Sequence, residues 1–162
     1  MKTILIAIAT LFLFAAQARS AEPVLSRTSY GKITFGIRLE KAEVILNEKA
    51  KSVTPDEACM FVAFAAYPKA TFMVEEGIIT RADVGKDVPN ILGISVGTPF
   101  SEVKKKYPKA IIEPHQYDPQ GHYIIFKSKD GKNAIVMEEG EGKISDIRGG
   151  LEPSVEYVEG CL

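Results

Sequence analysis

Short stretches in which apolar and polar residues alternate recur along this chain of 162 residues. Alternation of this kind indicates β-strands, because successive side chains of a strand point to opposite faces of a sheet. Gly77, Gly131 and the glycines of 140–142 separate several of the stretches and predict hairpin turns. We expect nine strands, over residues 32–37, 59–65, 70–75, 78–84, 91–96, 110–113, 122–127, 133–138 and 143–148.

Only two segments have the residue spacing of an amphipathic helix. Apolar residues recur every three to four positions across 39–49, which predicts the first helix. Thr98 is a favoured N-cap residue and Pro99 a favoured first helical residue, so the second helix is predicted to begin there. Pro108 ends it, because proline cannot continue a helix.

The order of the predicted elements is similar in the two halves of the chain. In each half a strand ends at a glycine, Gly36 or Gly97, which precedes a short helix, and antiparallel strands follow. A glycine lets the chain turn where a Cβ atom would interfere. We therefore predict an α+β fold of two similar strand–helix–antiparallel-sheet units in tandem, over residues 21–88 and 89–162. The two units could also form one compact domain over 21–162.

The N-terminal segment has the composition of an export signal. Lys2 precedes an apolar run over residues 4–16, and small residues follow. This is the order of regions in a secretory signal peptide, which we assign to residues 1–20. The run is shorter than the roughly 20 residues that span a bilayer, so we expect no membrane span. No cysteine lies nearby to carry a lipid anchor. The predicted location is periplasmic or secreted.

The chain has two cysteines, Cys59 and Cys161. An even number of cysteines in an exported protein favours a disulfide, and we predict one between these two. A catalytic thiol and a metal ligand are the alternatives. A thiol nucleophile needs a base to activate it, and both histidines lie far from either cysteine in the sequence.

The charge balance argues against one class of partner. The chain has 20 lysines and arginines against 21 aspartates and glutamates, a formal net charge of −1. Proteins that bind nucleic acid carry a basic excess that neutralises phosphates, so we expect no nucleic-acid partner. The sequence also has no complete catalytic motif and no phosphate-binding loop. We predict that the protein is not an enzyme and uses no cofactor.

Both histidines fall in one segment that is rich in polar and aromatic residues, namely His115, Tyr117, Asp118, His122 and Tyr123. Residues 118–121 have proline in the second position, which predicts a tight turn. Three interpretations are open. The side chains support the turn, or they contact a partner protein, or the two histidines bind a metal together with Asp118 or Glu113.

Two segments carry a resemblance to known proteins: PHQYDPQGHY at 114–123 and SVEYVEGC at 154–161. Together with Gly36, Gly97 and the hairpin segment FMVEEG at 72–77, they resemble a family of small exported proteobacterial proteins, most of them uncharacterised. The strand–glycine–helix unit is separately similar to the repeat of the β-lactamase-inhibitor protein and of small outer-membrane assembly lipoproteins. This second resemblance implies the tandem α+β fold. Ile37 and Arg38 depart from it, because a small hydroxyl-bearing residue is expected after the first glycine.

These observations predict an exported, non-enzymatic binding module. Its partner would be an envelope or secreted protein, as for an inhibitor or immunity protein, and Tyr117, His122 and Tyr123 would be the anchor residues. The alternative is a module that binds a small ligand, a metal or a glycan, through the same segment. For a metal, His115 and His122 are the candidate ligands.

Overall fold

The computed structural model describes residues 22–53 and 58–161. The predicted signal peptide, residues 1–20, lies outside the described residues and stays a prediction. Within the described residues no helix is long and apolar enough to cross a membrane.

The described chain is built mainly of strands, and its helices are short. The strands are β1 (Ser29–Tyr30), β2 (Ile33–Thr34), β3 (Lys51–Ser52), β4 (Cys59–Ala63), β5 (Ala70–Glu75), β6 (Ile78–Val84), β7 (Ile111–Pro114), β8 (His122–Lys127), β9 (Asn133–Gly140) and β10 (Lys143–Leu151). The α-helices are α1 (Leu39–Leu46) and α2 (Phe100–Lys106), and a 3-10 helix covers Ser154–Glu156.

Eight of the strands form one antiparallel sheet in the order β3-β4-β5-β6-β10-β9-β8-β7, while β1 and β2 pair separately. The centre of the large sheet is the pairing of β6 with β10, where Val84 lies opposite Ile147 and Arg81 opposite Gly150. The predicted ranges 21–88 and 89–162 contribute four strands each to this sheet.

The predicted α+β fold of two tandem strand–helix–sheet units is therefore wrong. The chain forms a mostly β structure around one continuous eight-stranded sheet, with only two short α-helices in the described residues. Backbone hydrogen bonding between β6 and β10 explains the difference. The sequence pattern suggests two separate groups of hairpins. The pairing of β6 with β10, two strands that are distant in sequence, joins both groups into one sheet.

The predicted strand at 91–96 is also wrong. Asn90 accounts for the difference, because its side chain bonds the local backbone. Its Oδ1 accepts the N–H of Leu92 at 3.0 Å and its Nδ2 donates to the carbonyl of Ile94 at 2.6 Å. Asparagine side chains that bond nearby backbone in this way favour turns over strands. Leu92 and Ile94 are still buried, but in an irregular segment.

Both helix boundaries differ slightly from the predicted ones. Helix α1 ends at Leu46 because Asn47 takes the left-handed conformation, with φ 53°, a common way to end a helix. Pro99, not Thr98, is the N-cap of α2. The Thr98 hydroxyl instead accepts the N–H of Ser95 at 3.1 Å.

The two predicted glycine junctions have the same geometry. Gly36 and Gly97 both have φ 92°, a conformation that side chains disfavour. The N–H of Gly36 donates to the carbonyl of Ile79, and that of Gly97 to the carbonyl of Ile144, each at 2.7 Å. Each junction thus ties the start of a helix to a hairpin of the same large sheet.

The two faces of the sheet are covered differently. The face towards α1 and α2 carries the main apolar core; its fully buried side chains include Phe72, Ile79, Ile124, Ile135 and Met137. The other face is crossed by residues 152–161, which we call the C-terminal strap. Tyr123, Ile125 and Val136 on this face pack against the strap residues Val155 and Val158.

Two buried arginines hold the strap to the sheet. Arg81 Nη1 donates to the carbonyl of Tyr157 at 2.7 Å, and Arg148 Nε donates to the carbonyl of Val155 at 2.7 Å. A chain lying across a sheet face cannot pair its carbonyls with strands, so guanidinium groups satisfy them. The predicted disulfide between Cys59 and Cys161 is confirmed. It fastens the end of the strap to β4.

Candidate binding cleft

The two segments that are distinctive in sequence meet in space. Loop 115–121 connects β7 to β8 and lies beside the C-terminal strap. The Tyr117 hydroxyl donates a hydrogen bond to the carboxylate of Glu159, and this bond raises the pKa of Tyr117. Val158 of the strap packs against the cluster that contains Tyr123. The junction of loop and strap is therefore the candidate site.

His115 organises the loop. Its Nδ1 accepts the backbone N–H groups of Tyr117 and Asp118, both at 3.1 Å. Its ring stacks on Tyr123 with 4.6 Å between centroids and 22° between planes. Its Nε2 lies 3.6 Å from a carboxylate oxygen of Glu138, beyond hydrogen-bond distance. The imidazole thus replaces a backbone acceptor and fixes the position of Tyr117.

Asp118 forms the turn that closes the loop. Its carbonyl accepts the N–H of Gly121 at 3.0 Å, which confirms the predicted turn over 118–121. Its Oδ1 also accepts the N–H of Gln120 at 2.9 Å. Asp118 is therefore occupied by local backbone bonds, as aspartate commonly is in turns.

His122 lies on the other face of the sheet. Its Nδ1 is 2.7 Å from Oε2 of the buried Glu139, and its ring contacts that of Phe100 on α2 with 4.9 Å between centroids. Glu139 also accepts the N–H of Gly142 at 2.7 Å. Neighbouring strand residues point to opposite faces, so His122 faces the helices while Tyr123 faces the strap.

The structure does not bring the two histidines together as a metal-ligand pair. His115 stacks on Tyr123, on the strap face, and His122 faces the helices. Over residues 22–53 and 58–161 no group of three or more histidine, cysteine or acidic side chains is placed to hold a metal ion.

The three predicted anchor residues differ in exposure. Tyr117 is 58% exposed, whereas Tyr123 is only 8% exposed beneath the loop and strap. His122 is half-buried between Glu139 and Phe100. Tyr117 is the most exposed of the three, and Tyr123 supports it from below through His115.

A cleft of about 580 Å³ lies between the loop and the strap. Its walls include Gln116 and Tyr117 from the loop, Tyr157 and Glu159 from the strap, Glu75 from β5, and the disulfide. Two carboxylates and two tyrosine rings therefore face one space. No lysine, arginine or histidine is among the described residues that line it. The nearby guanidinium of Arg81 is paired with Asp83 at 2.9 Å.

Both carboxylates of the cleft are held in place by hydroxyl groups. Glu75 accepts from the hydroxyl of Ser154, and Glu159 accepts from that of Tyr117. A carboxylate has several acceptor positions, so one such bond leaves capacity for a ligand. The cleft thus combines negative charge, aromatic surface and fixed geometry.

Part of this cleft coincides with candidates from the sequence. Tyr117 lines the cleft, its role as a contact residue stays a prediction, and the strap contains the distinctive segment 154–161. The roles of Glu75, Tyr157 and Glu159 were missed. A carboxylate pair next to the hairpin glycine Gly77 is typical of a solvated turn, and only the path of the strap shows that Glu75 faces a cleft.

Comparisons with known proteins give one informative match. No family model matches the chain, and no curated protein matches it either. The crystal structure of the uncharacterized protein yfeY from Escherichia coli is similar, with a TM-score of 0.50 and 18% sequence identity. The match covers 78% of this chain and 99% of that one. The likeness is one of fold. It assigns no activity, and the resemblance to an exported proteobacterial family stays a prediction.

Proposed function

We propose that this protein is a non-enzymatic binding module that holds a basic side chain of a partner protein in the cleft between loop 115–121 and the C-terminal strap. The composition of the cleft walls supports this proposal: Glu75 and Glu159 are acidic, Tyr117 and Tyr157 are aromatic, and none of the described residues that line the space is cationic. Binding would block the surface of the partner around that side chain.

An arginine or lysine side chain matches this composition. Its charge would pair with the two carboxylates in hydrogen bonds that charge strengthens. Its flat or methylene portion would lie on tyrosine rings, whose faces attract cations. Tyr117 and Tyr157 are 58% and 40% exposed, so both rings are open to such contact. Tyrosine and arginine are also the residue types that carry much of the affinity at protein interfaces.

Hydrogen bonds and the disulfide hold both walls of the cleft in place before any partner binds. His115 fixes the loop through two backbone bonds, while Arg81 and the disulfide fix the strap. A pre-organised site loses less conformational entropy on binding than a flexible one. Structural support of the turn and contact with a partner are thus complementary roles of the same segment.

We propose further that the protein acts in the bacterial envelope or outside the cell. The Cys59–Cys161 disulfide is compatible with an oxidising compartment. The partner would accordingly be an envelope or secreted protein.

A titration with a minimal cationic probe tests the proposal. The probe is acetyl-Gly-Arg-Gly-amide, and the matched control contains citrulline, a neutral near-isostere of arginine. In ¹⁵N–¹H spectra we expect the arginine peptide to shift the amides of Gln116, Tyr117, Val158 and Gly160. The citrulline peptide should leave them in place. Equal shifts with both peptides, or shifts only elsewhere, would remove the cleft from this role.

A glycan is the second candidate ligand, because tyrosine rings stack on sugars and carboxylates accept bonds from hydroxyl groups. A neutral disaccharide such as cellobiose separates the two. Saturable shifts of the cleft amides with the disaccharide, and none with the arginine peptide, would assign the cleft to a sugar.

A further inference from the structure

A second surface lies at the edge of the large sheet. It is apolar and basic, unlike the acidic cleft. Strand β7 ends the sheet on one side, and all four of its residues, Ile111–Pro114, are exposed. Ile111 and Ile112 are 44% and 41% exposed, although both are large and apolar. An exposed apolar edge strand is a template for pairing with another chain, and soluble proteins commonly protect such edges.

The backbone of β7 offers hydrogen bonds on its open side. The N–H of His115 donates to the carbonyl of Gly121 at 3.0 Å. In the same register Glu113 lies opposite Tyr123 and Ile111 opposite Ile125. Bonded pairs alternate along an antiparallel ladder. Ile112 and Pro114 therefore turn their backbone groups away from β8. Ile112 presents an N–H and a carbonyl, whereas Pro114 presents a carbonyl alone.

A groove of about 460 Å³ adjoins the start of β7. It forms because β8 extends past Ile111, so Phe126 and Lys127 have no partner strand on that side. The floor of the groove is apolar and includes Tyr107 and Phe126. Arg27 closes one end, where its Nε donates to the carbonyl of Phe126 at 2.8 Å.

The groove is strongly basic. Arg27, Lys106, Lys109 and Lys127 line it, and no aspartate or glutamate is among the described residues that do so. Lys106 Nζ is held by the carbonyls of Leu92 and Gly93 at 2.8 and 3.1 Å. Lys127 is paired with Glu152 and Glu156.

The remaining three cations are not matched by acids. Over residues 22–53 and 58–161 no ion pair involves Arg27, Lys106 or Lys109. Carbonyl oxygens orient Arg27 and Lys106 without neutralising them. Unmatched positive charge beside an apolar floor favours a ligand that carries both an acidic and an apolar group.

We propose that β7 and this groove bind an extended, acidic segment of a partner polypeptide, which adds to the sheet as a further strand. Its backbone pairs with Ile112 and donates to the carbonyl of Pro114. An apolar side chain covers one of the exposed isoleucines, and an acidic one enters the groove beside Arg27 and Lys109. This is strand addition, in which backbone bonds give affinity and side-chain pockets give specificity.

A partner chain fits this edge better than a second copy of the same strand. In a symmetric pair of β7 strands each Pro114 would lack an N–H to donate, so the ladder would rest on the bonds of Ile112. A foreign strand without proline has an N–H at every position, so it can donate to the carbonyl of Pro114. It can also place an acid opposite the groove independently of its apolar residues.

Two synthetic peptides test the proposal: acetyl-TVEVEVT-amide and its charge-reversed form acetyl-TVKVKVT-amide. We expect the glutamate peptide to shift the amide signals of residues 109–113 and of Phe126, and the lysine peptide to bind at least about tenfold more weakly. Lys109→Glu should weaken binding of the glutamate peptide by about tenfold. Lys105→Glu, the same change at an exposed position of α2 outside the groove, should leave it unchanged.

Ile112→Pro removes the outward N–H while keeping the bonds that β7 makes to β8, and it should weaken binding of the glutamate peptide. Circular dichroism checks that this variant folds.

Equal binding of both peptides overturns the proposal. A concentration-dependent dimer that Ile112→Pro abolishes would assign the edge to a second copy. Binding to phosphatidylglycerol vesicles without peptide binding would assign it to a membrane surface. Either of the last two results also overturns the proposal.

Discussion

Arg148 shows how individual buried charges stabilise this molecule. Its side chain is 3% exposed. It pairs with Glu138, donates to the strap carbonyl of Val155 and lies 5.9 Å from the centre of the Tyr123 ring. A buried guanidinium with several partners is stable only while those partners stay in place, because each remaining charge would otherwise be buried unpaired.

We predict that Arg148→Ala lowers the free energy of unfolding by about 3 kcal/mol, because it leaves Glu138 unpaired and frees a strap carbonyl. Urea denaturation measures the change. The control is Arg38→Ala, which breaks an exposed pair with Glu40 and should change stability by less than about 1 kcal/mol. Equal effects of the two substitutions would show that Arg148 does not hold the strap.

Asp146 gives the protein a specific pH dependence. Burial, and secondarily the neighbouring Asp83, raises the pKa of this carboxyl to about 6. The folded state therefore binds a proton more tightly than the unfolded state, whose carboxyl has an ordinary pKa of 3.8. The contribution of Asp146 to stability therefore falls as the pH rises from about 4 to 6, and the loss is complete above that range.

Asp146→Asn should remove this pH dependence. At pH 8 we expect the variant to be more stable than the wild type by about 2 kcal/mol, and near pH 4 the two should converge. Denaturation curves at both pH values measure the difference. Asp87→Asn changes an exposed aspartate and should behave as the wild type at both. A variant that is less stable at pH 8 would contradict this account of Asp146.

At the residue scale the sequence showed which residues are candidates for the site better than it showed which of them are in contact. It placed Tyr117 and both histidines in one loop, which is wrong for His122, the first residue of β8, and it correctly indicated the turn over 118–121. It could not show that His115 and His122 face opposite sides of the sheet. That follows from the register of His122 opposite Glu139, which depends on a strand paired from elsewhere in the chain.

At the scale of elements the C-terminal strap is the least regular part of the fold and the one that shapes the cleft. It has a single 3-10 turn, Ser154–Glu156, and its backbone carbonyls depend on Arg81 and Arg148. The disulfide joins residues 102 positions apart. A cross-link that closes a loop of this length strongly restricts the unfolded chain.

Replacing both cysteines, Cys59→Ser with Cys161→Ser, should lower the free energy of unfolding by about 4–5 kcal/mol in the chain-entropy account. Hydrogen exchange should increase first in the strap, because its end loses its attachment to β4. Reducing the wild type with dithiothreitol should reproduce both effects. Unchanged stability with unchanged exchange in 152–161 would mean that the arginines alone hold the strap.

The elements that were predicted well are those with local signals. The hairpin of β5 and β6 turns at Gly77, and that of β9 and β10 turns at residues 140–142; alternation and glycines mark both. The segment 91–96 has the same alternation but forms no strand, because Asn90 bonds the backbone locally. A side chain that bonds the backbone in place of a neighbouring strand cannot be detected from the alternation of apolar and polar residues.

The whole molecule is organised by one sheet, and the β6–β10 pairing at its centre couples the two halves of the chain. No local feature of the sequence predicts this pairing, because the two strands lie about sixty residues apart and carry no distinctive complementary residues. Eight strands that share their hydrogen bonds and one main core cannot unfold in independent halves without exposing β6 and β10 to water.

We predict a single cooperative unfolding transition for the whole molecule. Far-ultraviolet circular dichroism and tyrosine fluorescence should give coincident urea curves, as a two-state domain requires. Two separate transitions would show that residues 21–88 and 89–162 are independent domains, contrary to the continuity of the sheet.

The most direct test of the central claim is a photo-cross-link from the cleft to a partner in the cell that produces the protein. p-Benzoylphenylalanine replaces Tyr157 at the cleft or, as a control, the exposed Val44 of α1. We predict one discrete adduct with an envelope or secreted protein from position 157. Position 44 should give none, and Glu159→Lys should abolish the adduct. No adduct from position 157, or one that persists with Glu159→Lys, would contradict the claim that this cleft binds a basic side chain of a partner protein.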